Sequence, residues 1–102
     1  MKTTINTKVY DTDTAVLIAD ASNHGGNNFR AWEEELYMTQ KGNWFLYGWG
    51  GPLSEYATHY CNGKSSGARI TPITEKEALA WCEKHQHQDV IEYYFYNLIE
   101  EA

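Results

Sequence analysis

The strongest constraint on the fold of this chain is an aromatic-rich stretch at residues 31–51, AWEEELYMTQKGNWFLYGWGG. Aromatic and β-branched residues are typical of strands, and a short loop containing glycine is typical of the connection between antiparallel strands. The stretch therefore predicts a β-hairpin with its turn at Lys41, Gly42 and Asn43. A hairpin of this kind needs further elements to cover its faces.

Side chains alternate between the two faces of a strand, so each arm of the hairpin divides into two sets. The first arm divides into Trp32, Glu34, Leu36 and Met38 against Glu33, Glu35, Tyr37 and Thr39, and the return arm into Trp44, Leu46 and Gly48 against Phe45, Tyr47 and Trp49. Both faces are partly apolar. Each must be covered by other parts of the protein or be offered to a partner.

The size and charge of the chain limit the classes of function that it can serve. With 102 residues it is long enough for one domain with a sizeable core, so residues 1–102 are predicted to form a single domain. Its net charge is −6, which argues against direct binding to nucleic acid or to an anionic membrane. The first residues carry no apolar run that would indicate a secretory signal. We therefore expect a cytoplasmic protein with two reduced cysteines.

The remaining segments predict an α+β fold with a central antiparallel β-sheet, a short N-terminal helix and a C-terminal helical pair. Residues 2–10 suit a short hairpin or strand with a turn at Asn6 and Thr7, residues 11–14 suit the start of a helix over residues 15–21, and residues 23–28 suit a loop. Residues 68–73 suit a strand in which Pro72, having no amide to donate, lies at a sheet edge or at the strand end. Residues 53–67 give no clear assignment.

Two capping signals mark the C-terminal helices. Thr74 and Glu77 have the spacing of a capping box, which predicts a helix that continues to about His85. Asp89 and Glu92 repeat this spacing and predict a last helix through Tyr96 or beyond. In that helix the apolar residues recur at helical spacing and form one face, which consists of Val90, Ile91, Tyr94, Phe95, Leu98 and Ile99.

The cysteines and histidines are the strongest candidates for metal or thiol chemistry. They are His59, Cys61, Cys82, His85 and His87. Zinc accepts such ligands, but the spacing does not match a zinc knuckle on both sides. Cys61 with His59 lacks an identifiable group that would orient the base of a catalytic pair. We therefore expect a buried Cys82, a half-buried Cys61 and histidines that face solvent, with no cofactor.

Two other patterns have a plain structural interpretation. The carboxylates of Glu33, Glu34 and Glu35 alternate between strand faces, so they suit a solvated strand that resists aggregation better than general acid–base catalysis. The glycine-rich segments at residues 48–52 and 63–67 lack the spacing of a phosphate-binding loop. Glycines at 48, 50 and 51 more simply allow the backbone to bend beside packed aromatics.

The feature that points to function is therefore a surface. Tyr37, Tyr47 and Trp49 are predicted to share a face with Glu33 and Glu35. If no helix covers that face, it forms an aromatic patch rimmed by carboxylates, which suits a protein interface. The alternative is that a helix covers it. Acidic residues of the last helix, Asp89 and Glu92, are further candidates for contact with a partner.

The chain also resembles a family of short proteins carried by phages and other mobile elements. The resemblance begins with YDTDTA at residues 10–15, which is similar to a YDTxTA signature, and continues through ELYMTQKGNWFL at 35–46, GWGGPLSEYA at 48–57 and residues 73–81. The first turn reads Asn6-Thr7 where the family has Asn-Gly. Members of this family look like anti-CRISPR proteins. The cysteines and histidines are not part of the pattern.

This resemblance implies a non-enzymatic inhibitor that binds a CRISPR effector, or its guide-RNA complex, in the cytoplasm of a bacterial host. Such a protein would block nucleic-acid binding or cleavage by the effector. Two alternatives stay open from the sequence. One is a small metal- or thiol-dependent enzyme that uses the cysteines and histidines, and the other is an accessory regulatory protein of a mobile element.

Overall fold

The computed structural model describes residues 1–23 and 29–102. These residues form eight strands and two helices. The elements are β1 (Lys2–Ile5), β2 (Lys8–Asp11), β3 (Val16–Ser22), β4 (Trp32–Met38), β5 (Trp44–Gly50), β6 (Thr58–Tyr60), β7 (Gly63–Ser65), β8 (Gly67–Ile73), α1 (Glu75–Lys84) and α2 (Gln88–Tyr94). Most of the loop predicted at residues 23–28 lies outside the described residues.

The predicted hairpin forms the centre of the molecule. Strands β4 and β5 pair from Trp32 opposite Gly50 to Met38 opposite Trp44. The turn is closed by a 2.7 Å hydrogen bond from the Thr39 amide to the Asn43 carbonyl, and Gly42 has a φ of 87°. Glycine suits this left-handed position because it has no Cβ. The antiparallel four-stranded sheet has the order β3-β4-β5-β8, which confirms the predicted central sheet.

The predicted N-terminal helix is wrong. The segment assigned to it forms β3, which pairs with the edge of β4 that does not pair with β5. The residues before it form a turn in which the Asp11 side chain accepts a 2.9 Å hydrogen bond from the Asp13 amide. A short apolar run has no periodicity that distinguishes a helix from a strand. The secondary structure of this segment is therefore determined by the strand with which it can pair. Pairing with β3 satisfies the backbone groups of β4 that a helix would leave exposed.

The N-terminal residues form the predicted hairpin from β1 and β2. Its turn residues Asn6 and Thr7 have φ values of 51° and 65°. Positive φ at both central positions is the geometry of a type I′ turn, which matches the twist of the strands on either side. This small hairpin places the side chain of Tyr10 against the central sheet, where it meets Phe45 edge to face at 5.5 Å.

The C-terminal helices confirm the predicted helical pair but not every detail of its ends. Thr74 and Glu77 form the capping box, with bonds of 2.9 and 3.1 Å between each side chain and the other residue's amide. The predicted cap at Asp89 and Glu92 is wrong, because α2 begins at Gln88 and places Asp89 inside the first turn. This helix ends at Tyr94, before the predicted end, and the residues that follow it are exposed.

The segment between the central hairpin and the helices contains both a confirmed and an unpredicted element. Strand β8 confirms the predicted edge strand, and its Pro72 lies opposite Phe45 at the margin of the sheet. Strands β6 and β7 form a separate two-stranded sheet that the sequence did not predict. In the residues that the structure describes, no helix is both long enough and apolar enough to cross a membrane.

The central sheet has a core on each side. On the side that we call the helix face, Leu36 and Trp44 pack against buried residues of both helices, namely Ala78, Trp81, Cys82, Ile91 and, just after α2, Phe95. On the opposite side, the hairpin face, Tyr37 and Phe45 pack with Tyr10 and Ile70. The cover of the hairpin face is therefore the small β1–β2 hairpin, and the helices lie on the other side.

Candidate functional site

The hairpin face is covered at one end and open at the other. At the covered end, Tyr37 and Phe45 stack at 5.1 Å beneath Tyr10. Farther along the same strands, Tyr47 reaches the margin of this core, and Trp49 lies beyond it in an open groove. Among residues 1–23 and 29–102, the open end of this face is therefore the part whose aromatic rings are not covered by another strand or helix.

The strand register sets a carboxylate beside each of these two rings. Glu33 lies opposite Trp49, and Glu35 lies opposite Tyr47. Side chains that are directly opposite on antiparallel strands stand about 5 Å apart at their Cβ atoms. The rings of Tyr47 and Trp49 are in contact, with centroids 5.1 Å apart. The structure thus brings together four of the seven residues that the sequence predicted as partner contacts.

A third carboxylate belongs to the same surface, although the sequence analysis missed it. Asp20 of β3 lies directly opposite Glu35 of β4. Like charges in this position repel one another and lower the stability of a sheet. Asp20 was assigned to the predicted N-terminal helix, and only the strand register places it here. We call Asp20, Glu33, Glu35, Tyr47 and Trp49 the acidic aromatic surface.

The groove beside this surface has a volume of about 670 Å³. Its wall is built from residues before β4 and after β5, which two backbone hydrogen bonds hold together. The Gly51 amide donates to the Ala31 carbonyl at 2.8 Å, and the Leu53 amide donates to the Phe29 carbonyl at 2.9 Å. The lining is mainly apolar and includes the exposed ring of Phe29, the rings of the surface and Pro52, with Glu33 as its carboxylate.

Of the other three predicted contact residues, Tyr37 lies on the same face but is covered by other side chains, and Asp89 and Glu92 lie on α2. Tyr37 is buried, and its hydroxyl donates a 2.8 Å hydrogen bond to Glu35 Oε1. Burial and the neighbouring Glu35 raise the pKa of Tyr37 to about 12, so the phenol keeps its proton and remains a donor at neutral pH. Asp89 and Glu92 are exposed on α2, which packs on the helix face. The structure therefore does not bring these two acids to the acidic aromatic surface.

A buried carboxylate on the helix face is the second feature that the sequence analysis missed. Glu34 accepts a 2.8 Å hydrogen bond from Trp81 Nε1, and its other oxygen accepts one from the Tyr56 hydroxyl. Burial and this bond raise the pKa of Tyr56 well above its usual range. The alternation of faces had placed Glu34 with Trp32 and Leu36, which was the available signal that it points inward. Both oxygens are bound by side chains that anchor the core, so its role is structural.

The residues considered for metal or thiol chemistry differ in how deeply they are buried. Cys61 is an exposed free thiol, more exposed than expected, whereas Cys82 is free and fully buried in the core. Burial raises the pKa of Cys82 to about 11, which keeps its thiol protonated and unreactive at neutral pH. His85 and His87 lie against the ring of Trp81. Within residues 1–23 and 29–102, no group of three or more such side chains could hold a metal ion.

Comparisons of this chain with models of protein families, with curated proteins and with solved structures give no match.

Proposed function

We propose that this protein is a non-enzymatic inhibitor that acts by binding another protein through its acidic aromatic surface. Its target would be a CRISPR effector, alone or with its guide RNA, in the cytoplasm of a bacterial host. The bound inhibitor would block the binding or the cleavage of nucleic acid by that effector. The choice of target follows the resemblance of the sequence, and the choice of surface follows the geometry.

The observation that carries this proposal is the uneven cover of the hairpin face. Tyr10 and its hairpin pack on Phe45, but they leave the ring of Trp49 in an open groove. Large aromatic residues at protein interfaces bury much area at low entropic cost, and they often dominate the free energy of binding. A surface that combines such rings with carboxylates therefore suits a protein partner.

The charge of the chain supports a basic partner. A net charge of −6 repels nucleic acid, but it attracts a cationic groove that normally holds nucleic acid. The carboxylates of Asp20, Glu33 and Glu35 on one face would direct this attraction to the acidic aromatic surface. Association would then be fast at low ionic strength and would weaken as salt is added.

The direct test is a pull-down of purified CRISPR effectors, with and without guide RNA, by the tagged protein. We expect capture of an effector and inhibition of its DNA binding or cleavage. The double variant Glu33→Gln, Trp49→Ala should lose capture by at least tenfold, since buried aromatic contacts at interfaces are commonly worth more than about 1.4 kcal/mol. The matched control Glu83→Gln, Tyr96→Leu removes one charge and one exposed ring from the helical part and should bind normally.

A further variant tests whether the helices take part. Asp89→Asn combined with Glu92→Gln removes two exposed charges from α2. If the acidic aromatic surface is the contact, this variant should keep its affinity apart from a small loss of long-range attraction. Loss of capture in this variant, with full capture by Glu33→Gln, Trp49→Ala, would place the interface on the helices and contradict the proposed surface. Failure to bind any effector would contradict the proposed function.

A further inference from the structure

We infer that the groove beside the acidic aromatic surface binds an arginine side chain from an extended segment of the partner. This inference rests on the proposed function in that it concerns the same surface. It specifies the chemistry of the group that the surface recognises, which the proposed function leaves open.

The size of the groove sets the scale of the occupant. Its volume of about 670 Å³ lies within the range of about 300–1,000 Å³ that is typical of sites for small ligands. One long side chain with the backbone on either side of it suits this space. The apolar parts of the lining, which include Pro52 and Ala68, suit the aliphatic stem of such a side chain.

The rings and carboxylates determine the head group. Trp49 and Tyr47 offer aromatic faces, and the register sets Glu33 and Glu35 directly beside them. A cation is attracted both to an aromatic face and to a carboxylate. A planar guanidinium can stack on a ring and also donate hydrogen bonds to a carboxylate in the same plane. Lysine carries a compact ammonium group that is not planar, so it cannot stack on a ring in the same way.

Asp20 and Glu35 lie outside the lining of the groove but on the same face of the sheet, so their negative charge gives a second reason to expect a cation. The two residues are directly opposite one another in the strand register, an arrangement in which like charges are unfavourable. Their field would attract a guanidinium toward this face, where Glu33 is the carboxylate that lines the groove. A nucleotide base could stack on the same rings, but its phosphate would be repelled by the three carboxylates of the surface. A neutral sugar would gain nothing from the charges.

The test uses the full-length protein and short peptides as probes. The first probe is acetyl-Gly-Arg-Gly-amide, and the matched probes carry lysine or citrulline, a neutral analogue of arginine with nearly the same shape. Binding is followed through the NMR signals of the tryptophan indole N–H groups. Trp49 and Trp32 line the groove, so either indole signal can respond to a bound peptide, whereas Trp44 and Trp81 are buried in the helix-face core and serve as internal controls.

We expect the arginine peptide to shift the Trp49 signal and to leave those of Trp44 and Trp81 unchanged. Lysine should bind a few-fold more weakly, and citrulline about tenfold more weakly. The variant Glu33→Gln should weaken arginine binding about threefold, as expected for loss of one exposed ion pair, while Glu83→Gln should not change it. Equal binding of the arginine and citrulline peptides, preferential binding of uridine monophosphate or of a neutral disaccharide, or no shift at Trp49 up to saturating peptide would overturn the inference.

This experiment separates the inference from the proposed function. If the peptides bind as expected but no effector is captured, the arginine site stands and the proposed target is wrong. If an effector is captured through Glu33 and Trp49 but the arginine peptide does not bind, the proposed function stands and the arginine inference is wrong.

Discussion

Strands β4 and β5 contribute side chains to both faces of the central sheet, yet the two faces are covered in different ways. On the helix face, even a carboxylate is enclosed, because Glu34 is held by Tyr56 and Trp81. On the hairpin face, Trp49 stays in an open groove and Asp20 faces Glu35. On the helix face, the polar groups form hydrogen bonds that stabilise the fold. On the hairpin face, the pair of like charges lowers its stability. The helix face is thus packed along its length, whereas the hairpin face has a core at one end only and leaves its other end for recognition.

The largest test of this comparison is Gly48→Ala on the helix face. A Cβ at this position would overlap the ring of Tyr56, which occupies the space above the strand. We expect a loss of about 3 kcal/mol in the free energy of unfolding, at the upper end for overpacking, because the ring also holds Glu34. Urea denaturation measures this. The control is Gly63→Ala, where nothing lies within 4 Å, and an equal loss there would contradict the packing argument.

Neighbouring glutamates provide the next test, since Glu33 and Glu34 point to opposite faces. Glu34→Gln leaves one of two buried donors facing an amide NH₂ group and should cost about 2 kcal/mol of stability. Glu33→Gln changes an exposed side chain and should change stability by less than about 0.5 kcal/mol. Thermal and urea denaturation of the two variants should therefore separate clearly. Similar losses would mean that the two faces do not differ in this way.

The small hairpin that covers part of the hairpin face can be made more stable. Thr7 has a φ of 65°, which is unfavourable for a β-branched residue. Thr7→Gly should raise the free energy of unfolding by about 1 kcal/mol or slightly less, because relief of this strain exceeds the added entropy of glycine. The same change at Thr4, in the extended strand β1, should lower stability. A loss of stability in Thr7→Gly would show that the positive φ of Thr7 does not lower the stability of the protein.

The smallest effect concerns the pair of like charges. Asp20→Asn removes the repulsion with Glu35 and should stabilise the fold by about 0.5 kcal/mol. The same change should weaken binding of the partner, so stability and affinity should move in opposite directions. Glu83→Gln is the control and should change neither. If Asp20→Asn lowers stability, the Asp20 carboxylate has a structural role, and the two faces do not differ in this respect.

The central hairpin, the edge strand and the first C-terminal helix could be predicted because each has a strong local signal. Aromatic residues on both sides of a glycine-containing turn mark residues 32–50, Pro72 marks an edge or a strand end, and Thr74 with Glu77 marks a helix start. The N-terminal helix was predicted wrongly because residues 15–21 are short and apolar, so local patterns did not distinguish a helix from a strand. Pairing with β4 decided the outcome, and that contact is not local.

The candidate site could be predicted only in part for the same reason. Glu33, Glu35, Tyr47 and Trp49 follow from alternation within one hairpin, and they do lie together. Asp20 depends on the register of a strand that the sequence did not predict. The burial of Glu34 depends on Trp81, which is 47 residues away along the chain. Local sequence patterns contain no information about partners at such separations.

The hydrogen bond from the Tyr37 hydroxyl to Glu35 has a consequence for the entropic cost of binding a partner. A glutamate side chain normally samples several rotamers, and fixing it at an interface costs about 0.5–1.5 kcal/mol of entropy. Here a phenol from the core already restrains one carboxylate oxygen before any partner arrives. An incoming cation would therefore meet an acceptor that is oriented in advance, and less of the interaction energy would be lost to ordering.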